Sequence, residues 1–386
     1  MPLKVGRGAE APPFLVMDVI AAANARERRR APADPRTIRM EVGQPGTGAP
    51  GGAVEAAVAA LRSGHTLGYT EALGLPSLRA RIARHYGHWY GLDLDPARVA
   101  VTVGASGAFP LAFLAAFDPG DRVALAAPYY PPYVNVLQVL GLRPVVVPTG
   151  PETRYQPTVA LLDALDPVPD GLIVASPCNP AGTMLAPEEL AALAAWCDAR
   201  GVRLISDEIY HGLHYGRPLA TAAAHSPHAV VVNSFSKYFS MTGWRVGWLV
   251  LPEELVRPVE CLAQNMAISA PHVAQVAAEA AFACGDELER NVAAYRRSRD
   301  LLLRALPEAG FPRLAQADGA FYLYADVAER TNDSVAFCAR MLAEAGVAAS
   351  PGTDFDAGRG LTTMRFSYCG PEQDMAEAAE RLRAWR

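Results

Sequence analysis

No stretch of about 18 apolar residues in this 386-residue chain runs without a break, so no membrane-spanning helix is expected. Residues 1–14 lack the apolar core of an export signal, and a cytoplasmic location is the expectation. Cysteine is sparse. The six (178, 197, 261, 284, 338, 369) form no CxxC and no metal-ligand spacing, so they read as reduced core side chains and no metal is expected. Positive charge is short as well. Lys and Arg number 35 against 40 Asp and Glu, for a net charge of −5, and no basic stripe carries interleaved aromatics. Nucleic acid is therefore excluded as a partner. The run 26–30 is interrupted by Glu27 and reads as a solvated helix face. Internal repeats are missing, and no GxGxxG follows an early strand, which argues against solenoids and nicotinamide-type nucleotide folds. His211 and His214 form an HxxH without a third ligand nearby and read as polar residues after a strand.

What the chain does have is hydrophobic substance, 51% of its residues, enough for one large domain and a smaller one. From residue 99 short apolar strands alternate with helices. Strands are expected at 99–103, 122–126, 144–147, 171–175, 203–206, 230–233 and 246–251, with helices at 107–117, 133–140, 159–165 and 187–200. That alternation predicts an α/β domain with a mostly parallel seven-stranded sheet flanked by helices. The last strand follows too closely for a crossover helix and should run antiparallel. Helices at 253–265, 271–284 and 286–306 come next, then strands at 321–325 and 363–367 around a helix at 334–345. With a helix at 14–30 and a strand at 38–42, both chain ends are expected to share a smaller α+β domain. The large domain is then 48–285, and the small, discontinuous one 1–47 and 286–386.

Ligands of parallel sheets bind beyond the carboxyl ends of the strands, so those loops carry the functional argument. Gly104-Ala105-Ser106-Gly107 offers backbone amides at a helix start, an anion site that many such turns would resemble. Tyr130, in Pro128-Tyr129-Tyr130, either stacks on a flat ring or packs at the rim. Asn179 lies between two prolines that fix its amide. Asp207, closing a buried strand, is either a helix cap or a carboxylate kept for a buried cation. Lys237 sits among hydroxyls in Ser234-Phe235-Ser236-Lys237, where desolvation would free its amine as a nucleophile toward carbonyls. The plain alternative is a lysine on a solvated loop. Arg245 is a guanidinium suited to phosphate. Taken together these groups match the parts of pyridoxal phosphate: phosphate, flat ring, ring cation and aldehyde.

Nine segments in order then resemble the fold-type I, class I/II pyridoxal-phosphate aminotransferases along nearly the whole chain. They are Gly43-Gln44-Pro45, Gly68-Tyr69, Val103-Gly104-Ala105-Ser106, Pro128-Tyr129-Tyr130, Cys178-Asn179-Pro180-Ala181-Gly182-Thr183, Asp207-Glu208-Ile209-Tyr210, Ser234-Phe235-Ser236-Lys237, Gly243-Trp244-Arg245-Val246-Gly247 and Arg365-Phe366-Ser367-Tyr368. The resemblance implies an aldimine between Lys237 and pyridoxal 5'-phosphate, Asp207 on the pyridinium nitrogen, and Asn179 and Tyr210 on the phenolic oxygen. It implies Tyr130 on the ring face, and Ala105, Ser106, Ser234, Ser236 and Arg245 on the phosphate. Arg365, Asn179 and the Gly43 backbone would meet the substrate. Tyr69 would reach the phosphate of a partner subunit, which implies a homodimer. The implied activity is ping-pong transfer of an amino group from an L-amino acid to a 2-oxo acid. Some aspartate-specific members of the family carry a basic residue near 107–117, and this stretch contains no lysine or arginine, so the resemblance implies a neutral or aromatic donor. A C–S β-lyase on the same scaffold, or a non-catalytic ligand-binding regulator, is the alternative.

Overall fold

Val230, Val231 and Val232 are all fully buried, and their side chains alternate between two hydrophobic cores. Val231 joins Leu172, Leu204 and Val250 on one face, while Val230 and Val232 join Ile173, Ile205 and Leu249 on the other. A strand apolar at every position is what a sheet covered on both faces requires. Burying each such side chain contributes about 1.5–3 kcal/mol.

In the computed structural model, which describes residues 3–385, two sheets are formed. The first strand, β1 (Ile38–Met40), belongs to the smaller. The next seven are β2 (Val99–Thr102), β3 (Arg122–Ala127), β4 (Arg143–Pro148), β5 (Gly171–Ala175), β6 (Arg203–Asp207), β7 (Val230–Ser234) and β8 (Gly247–Val250). They make the large sheet in the order β2-β8-β7-β6-β5-β3-β4. Only β8 runs antiparallel to its neighbours. The remaining strands, β9 (Arg313–Leu314), β10 (Tyr322–Asp326), β11 (Val347–Pro351) and β12 (Thr363–Ser367), complete the small sheet in the order β1-β11-β12-β10-β9. Both chain ends therefore build the five-stranded sheet.

Helix boundaries follow local chemistry. Helix Pro187–Arg200 begins with proline in its first turn, has the Glu189 carboxylate accepting from the Ala186 amide at 2.6 Å, and ends on a left-handed Gly201. One helix starts earlier than its sequence suggests. Gly104 to Gly107 reads as a loop because its two glycines are weak helix formers, yet the helix runs from Gly104 to Ala116. Its first turn is thus the segment that faces the ligand edge.

The register aligns that edge. Ala175 pairs with Asp207, Asp207 with Val232, and Ser234 with Gly247, so β5, β6 and β7 end side by side. The loop from β7 to β8 is short and holds Lys237 over the same edge. No helix among the described residues is long and apolar enough to cross a membrane.

Candidate active site

A cavity of about 760 Å³ opens above the carboxyl ends of the large sheet and is closed from the other side by the small sheet. Gly43, Ala105, Ser106, Tyr130, Asn179, Asp207, Tyr210, Ser234, Ser236, Lys237, Arg245 and Arg365 all line it. Tyr69 does not; it is 82% exposed on the surface of the single chain.

The Lys237 amine projects into this space and donates to the Gly43 carbonyl at 2.6 Å. Burial lowers its pKa to about 8, with Arg365 and Arg245 pushing the same way and Cys369 and Asp207 opposing. A substantial fraction of the amine is therefore neutral and nucleophilic near physiological pH. Gly43 must stay bare for a separate reason: a Cβ would fall 1.8 Å from the Tyr322 hydroxyl.

Asp207 forms the floor. It is 3% exposed, accepts from the Ile209 amide at 3.1 Å, and accepts from the Tyr133 hydroxyl. Burial raises its pKa to about 6, and these two donors together with Lys237 limit the rise. No helix starts where β6 ends, so the helix-cap reading fails; one oxygen instead holds the turn at Ile209 and the other is turned to Tyr133. Tyr133 itself had no signal in the sequence, since a tyrosine at the start of a helix reads as core.

An anion pocket lies at the opposite end. The helix Gly104–Ala116 has no side-chain cap, which leaves its first amides free. Ser234 Oγ donates to Ser236 Oγ at 2.9 Å, and Arg245 reaches Ser106 at 3.4 Å while donating to the Thr242 carbonyl at 2.8 Å. Arg245 holds a left-handed backbone (φ 56°), a strained conformation for a side chain of its size. Gly104 must stay bare, because a Cβ there would lie 2.4 Å from the Arg245 guanidinium.

The small sheet supplies Arg365, 2% exposed on β12. It donates to Asn179 Oδ1 at 2.8 Å, to the Glu41 carbonyl at 2.5 Å and to Ser350 Oγ at 3.1 Å, and its Nε has no partner. Its guanidinium carbon stands 4.4 Å from the Tyr322 ring centre and 4.7 Å from that of Phe355. A flat cation with a spare donor, clamped between aromatic faces, is suited to a carboxylate. The Tyr210 hydroxyl pairs with that of Tyr322 at 2.8 Å, so Tyr322 joins Tyr133 among the site residues the sequence did not reveal.

Two other motifs are core features. His211 Nε2 lies 2.9 Å from the Ser176 carbonyl and Nδ1 lies 2.6 Å from the Tyr90 hydroxyl. A carbonyl only accepts, so Nε2 carries the proton and Nδ1 accepts from Tyr90. Burial lowers this histidine's pKa to about 3, keeping it neutral. Burial likewise pushes the Cys178 thiol up to about 12, which leaves it unreactive.

Comparison with known proteins decides the family. The profile for aminotransferase class I and II matches residues 35–382. The chain belongs to the class I and II aminotransferases. It is 51% identical to a valine–pyruvate aminotransferase of Mycobacterium tuberculosis, covering 99% of this chain and 98% of that one. It is 35% identical to an aspartate/prephenate aminotransferase of Thermus thermophilus, covering 94% of each. Among solved structures, an aminotransferase from Mycobacterium tuberculosis superposes with a TM-score of 0.96 at 50% identity, covering 100% of this chain and 99% of that one. An aspartate aminotransferase of Thermus thermophilus solved with maleate gives 0.91 at 34% identity, covering 99% of this chain and 100% of the other. This aminotransferase is thus an enzyme of amino-group transfer between amino acids and 2-oxo acids, and members of its family use pyridoxal phosphate.

Proposed function

We propose that this aminotransferase holds pyridoxal 5'-phosphate in the cavity and takes its amino group from neutral L-amino acids, passing it to a small 2-oxo acid. The observation that carries the reading is Lys237, a desolvated amine with its pKa lowered to about 8, facing one cavity with an anion pocket, a buried carboxylate and a clamped guanidinium. When bound, the group supplies an aldehyde for the amino group and a ring that withdraws electrons from the substrate Cα. The residues fit it. The uncapped helix amides at Ala105 and Ser106, with Ser234, Ser236 and Arg245, would hold the phosphate. Asp207 would pair with the ring nitrogen, Tyr130 would lie against the ring, and Asn179 and Tyr210 would meet the phenolic oxygen.

The chain's own chemistry then divides between two side chains. Arg365 fixes the substrate carboxylate, which orients the Cα proton toward the lysine. Lys237 takes that proton and returns it elsewhere, a general acid–base role matched to a pKa near neutrality. The cations lining the cavity are Lys237, Arg245 and Arg365, each with a role already, and no other cation lines it among the described residues. Phe14, Val16, Met17, Ile20 and Val136 give an apolar lining instead. A donor with a second carboxylate would have no partner, whereas a branched apolar side chain is accommodated. The similarity to a valine–pyruvate aminotransferase supports valine as donor and pyruvate as acceptor.

A panel of donors with pyruvate tests this. Turnover is expected to be at least about tenfold faster with valine than with aspartate, since an unpaired carboxylate costs well over 1 kcal/mol in this cavity. Equal or faster turnover with aspartate would refute the neutral-donor reading.

The Tyr133 hydroxyl gives a pH prediction. Asp207 must be ionised to pair with a ring cation, so cofactor affinity falls as pH drops through its pKa of about 6. Tyr133→Phe removes a donor that favours the anion, so the acid limb of the affinity profile is expected to move up by about one pH unit. Binding titrations between pH 5 and about 8 would show it; an unmoved limb would mean that the hydroxyl does nothing for Asp207.

We further propose a homodimer in which the exposed Tyr69 of each copy completes the phosphate site of the other. The division into 48–285 and into 1–47 with 286–386 is retained as our domain assignment, supported by the shared five-stranded sheet. Free cysteines throughout support a cytoplasmic location.

A further inference from the structure

One buried carboxylate that the reaction does not use grips the cavity wall from behind. Asp354 ends a single turn, Gly352–Asp354, directly after β11 and is 7% exposed. Its oxygens accept from the amides of Leu15 at 2.9 Å and Val16 at 3.1 Å, the first two residues of the helix Leu15–Arg29. That helix has no cap of its own, because Phe14 at its start carries no acceptor. The cap is instead delivered from more than three hundred residues away, with its charge on the positive end of the helix dipole. Around it, Arg365 is the attractive charge, and Asp18 in the helix's first turn is the repulsive one.

The same helix start forms the apolar wall, with Phe14, Val16, Met17 and Ile20 lining the cavity. Phe14 also meets Tyr130 edge-on, with ring centres 5.9 Å apart. The wall is therefore held twice, by Asp354 in the turn after β11 and by Tyr130 beyond the end of β3.

We propose that Asp354 is a positioning residue that holds this wall against the donor side chain and so sets selection among neutral donors by size. The inference rests on the transaminase reading above. Without its cap the helix start frays, and Val16 and Met17 leave the donor's outer carbons unpacked. A donor with only a methyl side chain has no such carbons to lose.

Three variants test it. Asp354→Ala removes both acceptors, Asp354→Asn keeps one, and Phe14→Ala removes the second anchor without disturbing the buried carboxylate. In Asp354→Ala the kcat/KM ratio of valine over alanine is expected to fall about three- to tenfold, chiefly through KM. Asp354→Asn should fall less, and Phe14→Ala should move the ratio the same way. Amide exchange in residues 14–29 should quicken in Asp354→Ala while 230–251 stays protected, a readout that needs no turnover. An unchanged ratio in active Asp354→Ala overturns the inference alone, whatever Phe14→Ala does and whether or not exchange quickens. Lack of turnover by the parent enzyme with every donor overturns the transaminase reading, and this inference with it.

Discussion

Replacing Lys237 with alanine is expected to lower kcat by about 10⁴-fold, the span one well-placed general acid–base contributes. The loss should fall on chemistry. Arg245, the helix amides and Asp207 remain in place, so the cofactor should still bind, and Arg365 should still hold the substrate carboxylate. A small primary amine added to Lys237→Ala should recover part of the rate, because the cavity left behind again contains a base. A second consequence follows for stability. The folded pKa of about 8 lies below the unfolded value near 10.4, so between those values the unfolded chain binds more protons than the folded one. Stability therefore rises with pH across that window, by roughly 3 kcal/mol in total. Lys237→Ala should flatten that slope without lowering stability at neutral pH. Turnover retained within tenfold of the parent would remove Lys237 from the chemistry.

Arg365→Lys is the second large effect. Lysine keeps the charge but lacks the planar fork that bonds Asn179, Glu41 and Ser350 while leaving Nε for a ligand. It also cannot stack between Tyr322 and Phe355. We expect kcat/KM for valine to fall by about a hundredfold, about 2.7 kcal/mol, and mostly through KM. Isobutylamine, which has the same side chain and no carboxylate, should be processed equally by parent and variant. If the amine suffers as much as the amino acid, Arg365 supports the fold rather than the carboxylate.

The large sheet was legible because a strand buried on both faces must be apolar throughout, and Val230 to Val232 leaves no other reading. Lys237, Asp207, Asn179 and Arg245 were legible for the complementary reason: polar groups placed where apolar strands end. Tyr133 and Tyr322 were not, since a buried tyrosine on a helix or strand looks like any core aromatic until its hydroxyl's partner is known. The cap from Asp354 to Leu15 was beyond reach for a different reason. A cap is normally read from the residues beside the helix, and here the acceptor comes from the other end of the chain. The start of the helix at Gly104 was obscured by the glycine that the Arg245 guanidinium requires.

The most direct test of amino-group transfer through Lys237 follows the nitrogen. The protein, loaded with pyridoxal phosphate, is given ¹⁵N-valine and pyruvate, and the products are followed by mass spectrometry. ¹⁵N-alanine and the oxo acid of valine are expected in equal amounts, with no free ammonia and with transfer by Lys237→Ala slower by about 10⁴-fold. Release of ¹⁵N-ammonium without labelled alanine, or transfer by Lys237→Ala within tenfold of the parent rate, would contradict amino-group transfer through Lys237.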